Sequence, residues 1–240
     1  MSNIQVLKRD GTTEELNLEK VHKMVEFACE GLAGVSASQV EIQSGLQFCD
    51  GITSNDIQEI LIRSASDLIT EDHPNYQYVA ARLLLFGLRK AVHGHPEILP
   101  PLLEHVKGCI DKGVYDSTIV NRYSEEEWDR INSFVEHERD YLFTYAGLRQ
   151  VVDKYLVQDR STGEHYESPQ QMYIMIAATL FANYPTETRL DYVQRYYNAI
   201  SKHKINIPTP IMGGVRTPIR QFASCVLVDI DDTLDSIFSS

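Results

Sequence analysis

From Val21 to Ile200 apolar residues return every three or four positions, a spacing that fills one face of an α-helix and leaves no room for an extensive sheet. Val21, Met24, Val25, Ala28 and Leu32 form the first stripe, opened by a cap at Asn17 and closed by Gly31 and Gly34. Ser38 and Glu41 stand at capping-box spacing before a second helix with Ile42 and Leu46 that stops near Gly51. Thr53 and Ser54 precede a third stripe of Ile57, Ile60, Leu61 and Leu68. Pro74 suits the first turn of a fourth, which runs through Tyr78, Val79, Leu83, Leu84 and Phe86 to Lys90. Further stripes follow: Leu102, Leu103, Val106 and Ile110 up to Gly113; then Trp128, Ile131, Phe134 and Val135 after a Ser124–Glu127 capping box, with Trp128 in the core. Ser168-Pro169-Gln170-Gln171 opens another helix, and Thr186 one that carries Leu190, Val193, Tyr197 and Ile200. The fold class is mainly α.

Three stretches break this period. Ile4 to Leu16 reads as two short strands about Asp10-Gly11, a dipeptide suited to the positive φ of a tight hairpin. Tyr155 to Tyr166 alternates about Asp159–Gly163 as a second short hairpin. Pro208, Pro210, Gly213, Gly214 and Pro218 predict an extended, non-helical segment. It leads into Gln221–Val228, an uncharged, proline-free run that reads as a strand buried on both faces. His93-Gly94-His95-Pro96 and Pro100-Pro101 mark a boundary, so the chain divides into 1–92, a hairpin with four helices; 93–204, helical; and 205–240. A lone strand cannot satisfy its own edges, and residues beyond about 205 are expected to be poorly anchored.

A net charge of −12 and a pI near 5.1 argue against a protein that coats nucleic-acid phosphates. Cys29, Cys49, Cys109 and Cys225 form no Cys-x-x-Cys pair and no zinc-type spacing with histidine, so no metal site is expected. The N-terminus lacks a signal-peptide core, and the apolar run from Met172 is shorter than the roughly 18–20 residues that cross a bilayer. A cytoplasmic location with reduced thiols and no membrane partner is the expectation.

Lys8, Arg9, Lys20, Arg89 and Lys90 fall at element ends. Together with helix N-termini they suit a triphosphate, or else form a solvated charged face. His137, Glu138, Arg139 and Asp140 are consecutive, share no helical face and are expected at the surface, and His93 and His95 belong to a polar linker. Cys225, in mid-strand, is either a small buried hydrophobe or a reactive thiol.

The segments VLKRDGTTEELNLEKV, GITSNDIQEILI and YVAARLLLFGLRKA resemble the ATP-cone, the regulatory module at the N-terminus of the class I ribonucleotide reductase large subunit. PTPIMGGVRTPIRQFASCVLV resembles the start of that enzyme's catalytic α/β barrel. The resemblance implies that Lys8, Arg9, Lys20 and Lys90 meet the phosphates of ATP or dATP, with Mg as the accompanying ion. Glu14 and Asn17 would lie near ribose or base, with Ser54 and Gln58 also lining the nucleotide. Ser54 stands where threonine is usual and keeps the hydroxyl. Gln58 stands where histidine is usual and cannot become cationic.

The same resemblance makes Cys225 one member of a redox dithiol, with Thr209 and Ser224 near substrate and Asp232 at the specificity-effector site. It implies a parent enzyme that reduces ribonucleoside diphosphates to deoxyribonucleotides, works as a homodimer of large subunits and is re-reduced by thioredoxin or glutaredoxin. A separate small (beta) subunit would carry the diiron or dimanganese radical cofactor. The 240 residues alone are not expected to turn over, because the second thiol and the radical cysteine come from later family segments. Alternative readings are a cone-type ATP/dATP sensor that regulates a partner protein, and an all-α interaction domain.

Overall fold

A computed structural model describes residues 4–8, 11–45 and 47–239; Arg9, Asp10 and Leu46, named above, lie outside the described residues. Strands β1 (Gln5–Leu7) and β2 (Thr13–Glu15) pair antiparallel, with Val6 opposite Glu14, and Gly11 takes the positive φ of 83° that the turn needs. A short third strand, β3 (Ile52–Thr53), adds parallel to β1 and gives the order β2-β1-β3. Periodicity could not announce it, because two residues carry no period; Gly51, with φ 79°, donates its N–H to the Gln5 carbonyl at 2.9 Å and sets the register.

Four helices surround this sheet: α1 (Leu18–Cys29), α2 (Ala37–Gly45), α3 (Ser54–Asp67) and α4 (Tyr76–His93). The Asn17 and Thr53 side chains cap α1 and α3 by accepting from the Lys20 and Asp56 N–H groups. Helix α2 begins two residues earlier than the Ser38 cap would place it. The Ser36 carbonyl accepts its first bond, and Glu41 meets His22 Nδ1 at 2.6 Å instead of closing a box with Ser38. It ends at Gly45, because Gly51 serves the turn into β3.

Beyond α4 come α5 (Leu102–Asp111), α6 (Glu125–Ser133), α7 (Tyr145–Lys154), α8 (Pro169–Phe181) and α9 (Thr186–Ser201), with 3-10 turns at Val120–Arg122 and His137–Leu142. Pro169 to Ala178 of α8 are buried without exception, so this helix is the axis of the second half of the molecule. Trp128 packs in the core, and its Nε1–H donates to the Val120 carbonyl at 3.1 Å. The hairpin expected at 155–166 reduces to one antiparallel bridge between Gln158 and His165. The Ser124–Glu127 box is formed, and Glu127 also binds the Arg189 guanidinium of α9. Ser124→Ala should therefore cost about 1 kcal/mol in urea unfolding.

Helix α4 belongs to both halves. Arg89, in its last turn, is buried; it donates to Asp140 Oδ2 and to the His137 carbonyl, both at 2.7 Å. Asp140 is 1% exposed and also accepts from Gln170 at 2.8 Å, and Gln170 in turn accepts from the Tyr197 hydroxyl at 2.7 Å. The expectation that residues 137–140 lie at the surface is thus corrected for Arg139 and Asp140. Their charges are buried because each has a partner, Arg139 on Glu136 and Ser201, Asp140 on Arg89. His93 is likewise no linker residue. It closes α4 with its ring 5.6 Å from that of His105.

The C-terminal stretch departs most from expectation. Thr209–Gly214 is a short helix, α10, not an extended segment: Pro208 stands at its cap and Pro210 in its first turn, where a missing N–H costs nothing. Anchoring continues past residue 205 as far as Arg220, because Arg216 is fully buried on Glu167, also fully buried, and Arg220 donates to Asp116 Oδ2 at 2.7 Å. Gln221–Val228 forms no strand and is largely exposed. The expected first barrel strand finds no partner strand among the described residues, and an apolar strand alone has no ladder for its N–H and C=O groups. A last helix, α11 (Leu234–Ser239), is exposed. Among the described residues no helix is long and apolar enough to cross a membrane.

Candidate nucleotide site

Residues far apart in sequence converge on one cavity of about 510 Å³ between the sheet, α1, α3 and α4. Its polar rim is Glu14 from β2, Asn17, Lys20 and Lys23 from α1 and the residue before it, Ser54 and Gln58 from the start of α3, Lys90 from the end of α4, and Glu97 just beyond α4. Six of the eight expected effector residues therefore line the same space. The floor is apolar, built from Met24, Phe27, Ile57 and Phe86. This combination suits a ligand with a flat apolar part and a charged part.

The electrostatics are graded across the cavity. Glu14 accepts from Lys8 Nζ at 2.7 Å and lies 3.7 Å from Lys20 Nζ. The Lys8 ammonium is the main reason its carboxyl is held below the usual range, against a smaller desolvation effect that raises it. Lys8 thus touches the site through Glu14 and does not line the cavity, whereas Arg9 is outside the described residues. The Asn17 amide oxygen is committed to the cap of α1, so its NH2 edge is the part left for a ligand. The N-terminal turns of α1 and α3 both open here, adding outward N–H groups to the cationic side chains.

Gln58 is held differently from its neighbours. Its Nε2 donates to the Leu83 carbonyl of α4 at 2.7 Å, and the side chain lies across Gly87. The apolar floor was legible as helix stripes but not as a ligand surface. Nothing in the periodicity of Phe27 and Phe86 distinguishes a wall of a cavity from core.

The residues expected at a catalytic centre are not brought together. Thr209 is the first residue of α10 and lines a separate cavity of about 460 Å³ with Arg160 and Thr217. Ser224 and Cys225 are exposed in the irregular segment after it, which corrects the picture of Cys225 as a buried mid-strand residue, and Asp232 is exposed just before α11. All four cysteines are free thiols. Among the described residues no cluster of three or more His, Cys, Asp or Glu is placed to hold a metal ion.

A second polar cluster went unseen in the sequence. His93, His105 and His137 come together from α4, α5 and the 3-10 turn at His137–Leu142, near Cys109, whose Sγ is 3.6 Å from His105 Nε2. Burial drives each of the three imidazoles down to about 4; neighbouring histidines and Arg89 lower His93 and His137 further, while at His105 Glu167 raises and Lys112 lowers. Burial likewise pushes the Cys109 thiol up to about 12, so the pair is neutral and no activated nucleophile.

Comparison with known families agrees with this architecture. Residues 4–91 match the ATP cone domain, and residues 141–220 match the ribonucleotide reductase all-alpha domain. A nucleotide-binding cone joined to this all-alpha domain defines a reductase large-subunit type of chain. It belongs to the ribonucleotide reductase large-subunit family, of which it corresponds to the N-terminal portion. It is 53% identical over 235 residues to the ribonucleoside-diphosphate reductase subunit alpha of Haemophilus influenzae, and 54% to the reductase 1 subunit alpha of Escherichia coli. In both cases 98% of this chain matches 31% of the relative. The subunit alpha of enterobacteria phage T4 is 41% identical over 239 residues, 99% of this chain and 31% of its own length. The chain thus spans less than a third of the length of these curated relatives.

Proposed function

We propose that this chain is the effector-sensing part of a ribonucleoside-diphosphate reductase large subunit, and that the cavity among Glu14, Asn17, Lys20, Ser54, Gln58 and Lys90 binds ATP or dATP to set overall activity. The observation that carries this reading is the convergence of two helix N-termini and three lysines, Lys20, Lys23 and Lys90, on a cavity with an aromatic floor, within the residues that match the cone. Lys20 and Lys90 take phosphate oxygens, Lys8 and Arg9 support them, and Mg travels with the nucleotide. Phe27 and Phe86 are the surfaces on which a base packs. The cone comprises 1–92, the helical domain 93–204, and 205–240 begins the catalytic barrel.

In the parent enzyme, Cys225 supplies one thiol of the reducing pair, Thr209 and Ser224 face the ribonucleoside diphosphate, and Asp232 serves the specificity effector. The exposed run Gln221–Val228, which has no partner strand among the described residues, supports a strand that pairs within a larger sheet. The small subunit with its dimetal radical centre, a second large subunit, and thioredoxin or glutaredoxin complete the reaction in the cytoplasm.

Isothermal titration of this 240-residue chain tests the cone reading directly. ATP and dATP should both bind, and Lys90→Ala should weaken each by about ten- to a hundred-fold through the loss of a charge-assisted contact. No heat and no thermal stabilisation at millimolar nucleotide would remove the assignment.

A further inference from the structure

We propose that a cavity of about 520 Å³, bounded by α7, α8, the end of α9 and α10, binds a small organic carboxylate with an apolar body, held by Lys204, Asn206 and the Tyr173 hydroxyl. It shares no lining residue with the nucleotide cavity. The chain has 34 Asp and Glu against 22 Lys and Arg, yet no carboxylate lines this space. Asp140, whose charge reaches Tyr173 from the core, is matched by Arg89. Lys204 is exposed at the mouth and forms no ion pair among the described residues. Asn206 accepts from the Ile207 N–H at 3.0 Å through its amide oxygen, which leaves the NH2 edge for a ligand.

Of the five buried tyrosines among the described residues, Tyr76, Tyr115, Tyr123 and Tyr197 each place the hydroxyl in a hydrogen bond. Tyr173, 4% exposed, is the fifth, and its hydroxyl has no protein partner among those residues. A phenol buried that deeply ordinarily finds one, and the space Tyr173 lines is this cavity. The mouth is shaped by a strained residue. His203 follows α9 with φ 55°, the one non-glycine residue of positive φ among the described residues. Its N–H donates to the Ile200 carbonyl at 3.0 Å and that of Lys204 to the Ala199 carbonyl at 2.9 Å, a helix end for which glycine is the unstrained choice. The histidine instead sets its ring centroid 4.5 Å from that of Phe143 and 6.4 Å from that of Tyr173, and Lys204 and Asn206 follow it onto the rim.

The charge available selects the ligand. Burial of the ring against its neighbours holds His203 below its ordinary value, so at neutral pH Lys204 brings the one formal charge. An ammonium with neutral N–H and O–H donors matches a carboxylate, whereas a phosphate dianion would keep a charge uncompensated. Val151, Ile200, Ile207 and Met212 supply an apolar wall for the rest of the molecule. Met212 belongs to α10, which begins at Thr209, and Tyr155 lines both this cavity and the one that holds Thr209. An occupant therefore bears on the elements that hold Thr209 in place.

Calorimetric titration of the intact chain with 3-phenylpropionate, 3-phenylpropan-1-ol and phenyl phosphate tests the site. The carboxylate should bind with a Kd of about 1 mM or below, and about five-fold or more tighter than the alcohol, which has the same body without the charge. Lys204→Met should bring that ratio to within about two-fold of unity, and Lys204→Arg should keep it. Tyr173→Phe should weaken the carboxylate by about three-fold or more; if that variant does not fold, the exposed Lys204 pair decides alone. Excess ATP should leave the affinity for 3-phenylpropionate unchanged, because the two cavities are separate.

No heat with 3-phenylpropionate at about 10 mM, equal affinity for acid and alcohol, or full affinity in Lys204→Met would overturn the assignment. Displacement of the carboxylate by ATP would do so as well, by placing the probe in the nucleotide cavity. Phenyl phosphate bound about five-fold or more tighter than the carboxylate would overturn the ligand class. None of these outcomes bears on whether the cone binds ATP.

Discussion

Urea unfolding of this chain should show a stability about 3–5 kcal/mol lower at pH 5 than at pH 7, with the loss traced to His93, His105 and His137. Burial holds each of these imidazoles at about 4 in the folded chain, against 6.5 when exposed. Each folded value is depressed, so between pH 6.5 and about 4 the unfolded state binds more protons than the folded one. Stability owed to these groups is therefore complete above 6.5 and lost as pH falls toward 4. At pH 5 each site contributes about 2 kcal/mol, less for His93, which is more open to solvent.

Neighbouring charges do not cancel the effect. Arg89 and Lys112 repel the protonated rings, and Glu167, which would favour a charged His105, is committed to Arg216. Glu14, Glu127, Asp116 and Asp159 titrate below their usual ranges, so their contribution is lost at lower pH and leaves the upper window to histidines: His203 is depressed as well and adds to the loss, whereas exposed His22 is raised by its bond to Glu41 and acts in the opposite sense. His137→Asn should reduce the difference between pH 7 and pH 5 by about 1–2 kcal/mol. Equal stability at the two pH values would sink the explanation.

Arg216→Met is expected to destabilise the chain by about 3–5 kcal/mol, which at this length lowers the melting temperature by roughly 10 °C. Arg216 and Glu167 are each 0% exposed. The guanidinium engages both carboxylate oxygens, with Nε 2.8 Å from Oε2, and also donates to the Met212 carbonyl at 2.5 Å and to the Tyr155 carbonyl at 3.0 Å. Glu167 accepts in addition from the Tyr115 hydroxyl and the Val157 N–H. A methionine fills the volume but leaves a carboxylate in a dry interior without its counter-charge. Adding Glu167→Leu should recover much of the loss, because the penalty lies in the unpaired charge and not in absent attraction. Limited proteolysis should cut first between residues 205 and 220 in the single variant. Equal melting temperatures for the single and double variants would mean that the pair is not coupled.

The helical stripes were legible because burial imposes a period on sequence: Val25, Leu61, Leu83, Ile131 and Ile176 all lie in one continuous core. Caps at Asn17, Thr53, Ser124 and Ser168 were legible because their oxygens satisfy N–H groups only a few residues away. Long-range polar partners left no such trace. Arg89 and Lys90 are adjacent and alike in sequence, yet one is buried on Asp140 and the other lines the cavity. Nothing local to Arg89 names a carboxylate 51 residues away. Gln221–Val228 failed for the opposite reason: its composition is that of a central strand, but a strand is defined by its neighbours, and none pairs with it among the described residues.

The shared helix α4 has a consequence for anyone who would transplant this sensor. A cut after residue 92 appears clean on paper, but it strips Arg89 of Asp140 and the His137 carbonyl and turns the floor of one half into the raw surface of the other. A graft onto a foreign protein would have to carry a receptor for that guanidinium, an aspartate backed by a glutamine in the places of Asp140 and Gln170, or else replace Arg89 by an apolar residue. Chimeras made with and without that receptor would differ in whether the foreign host can feel the nucleotide at all.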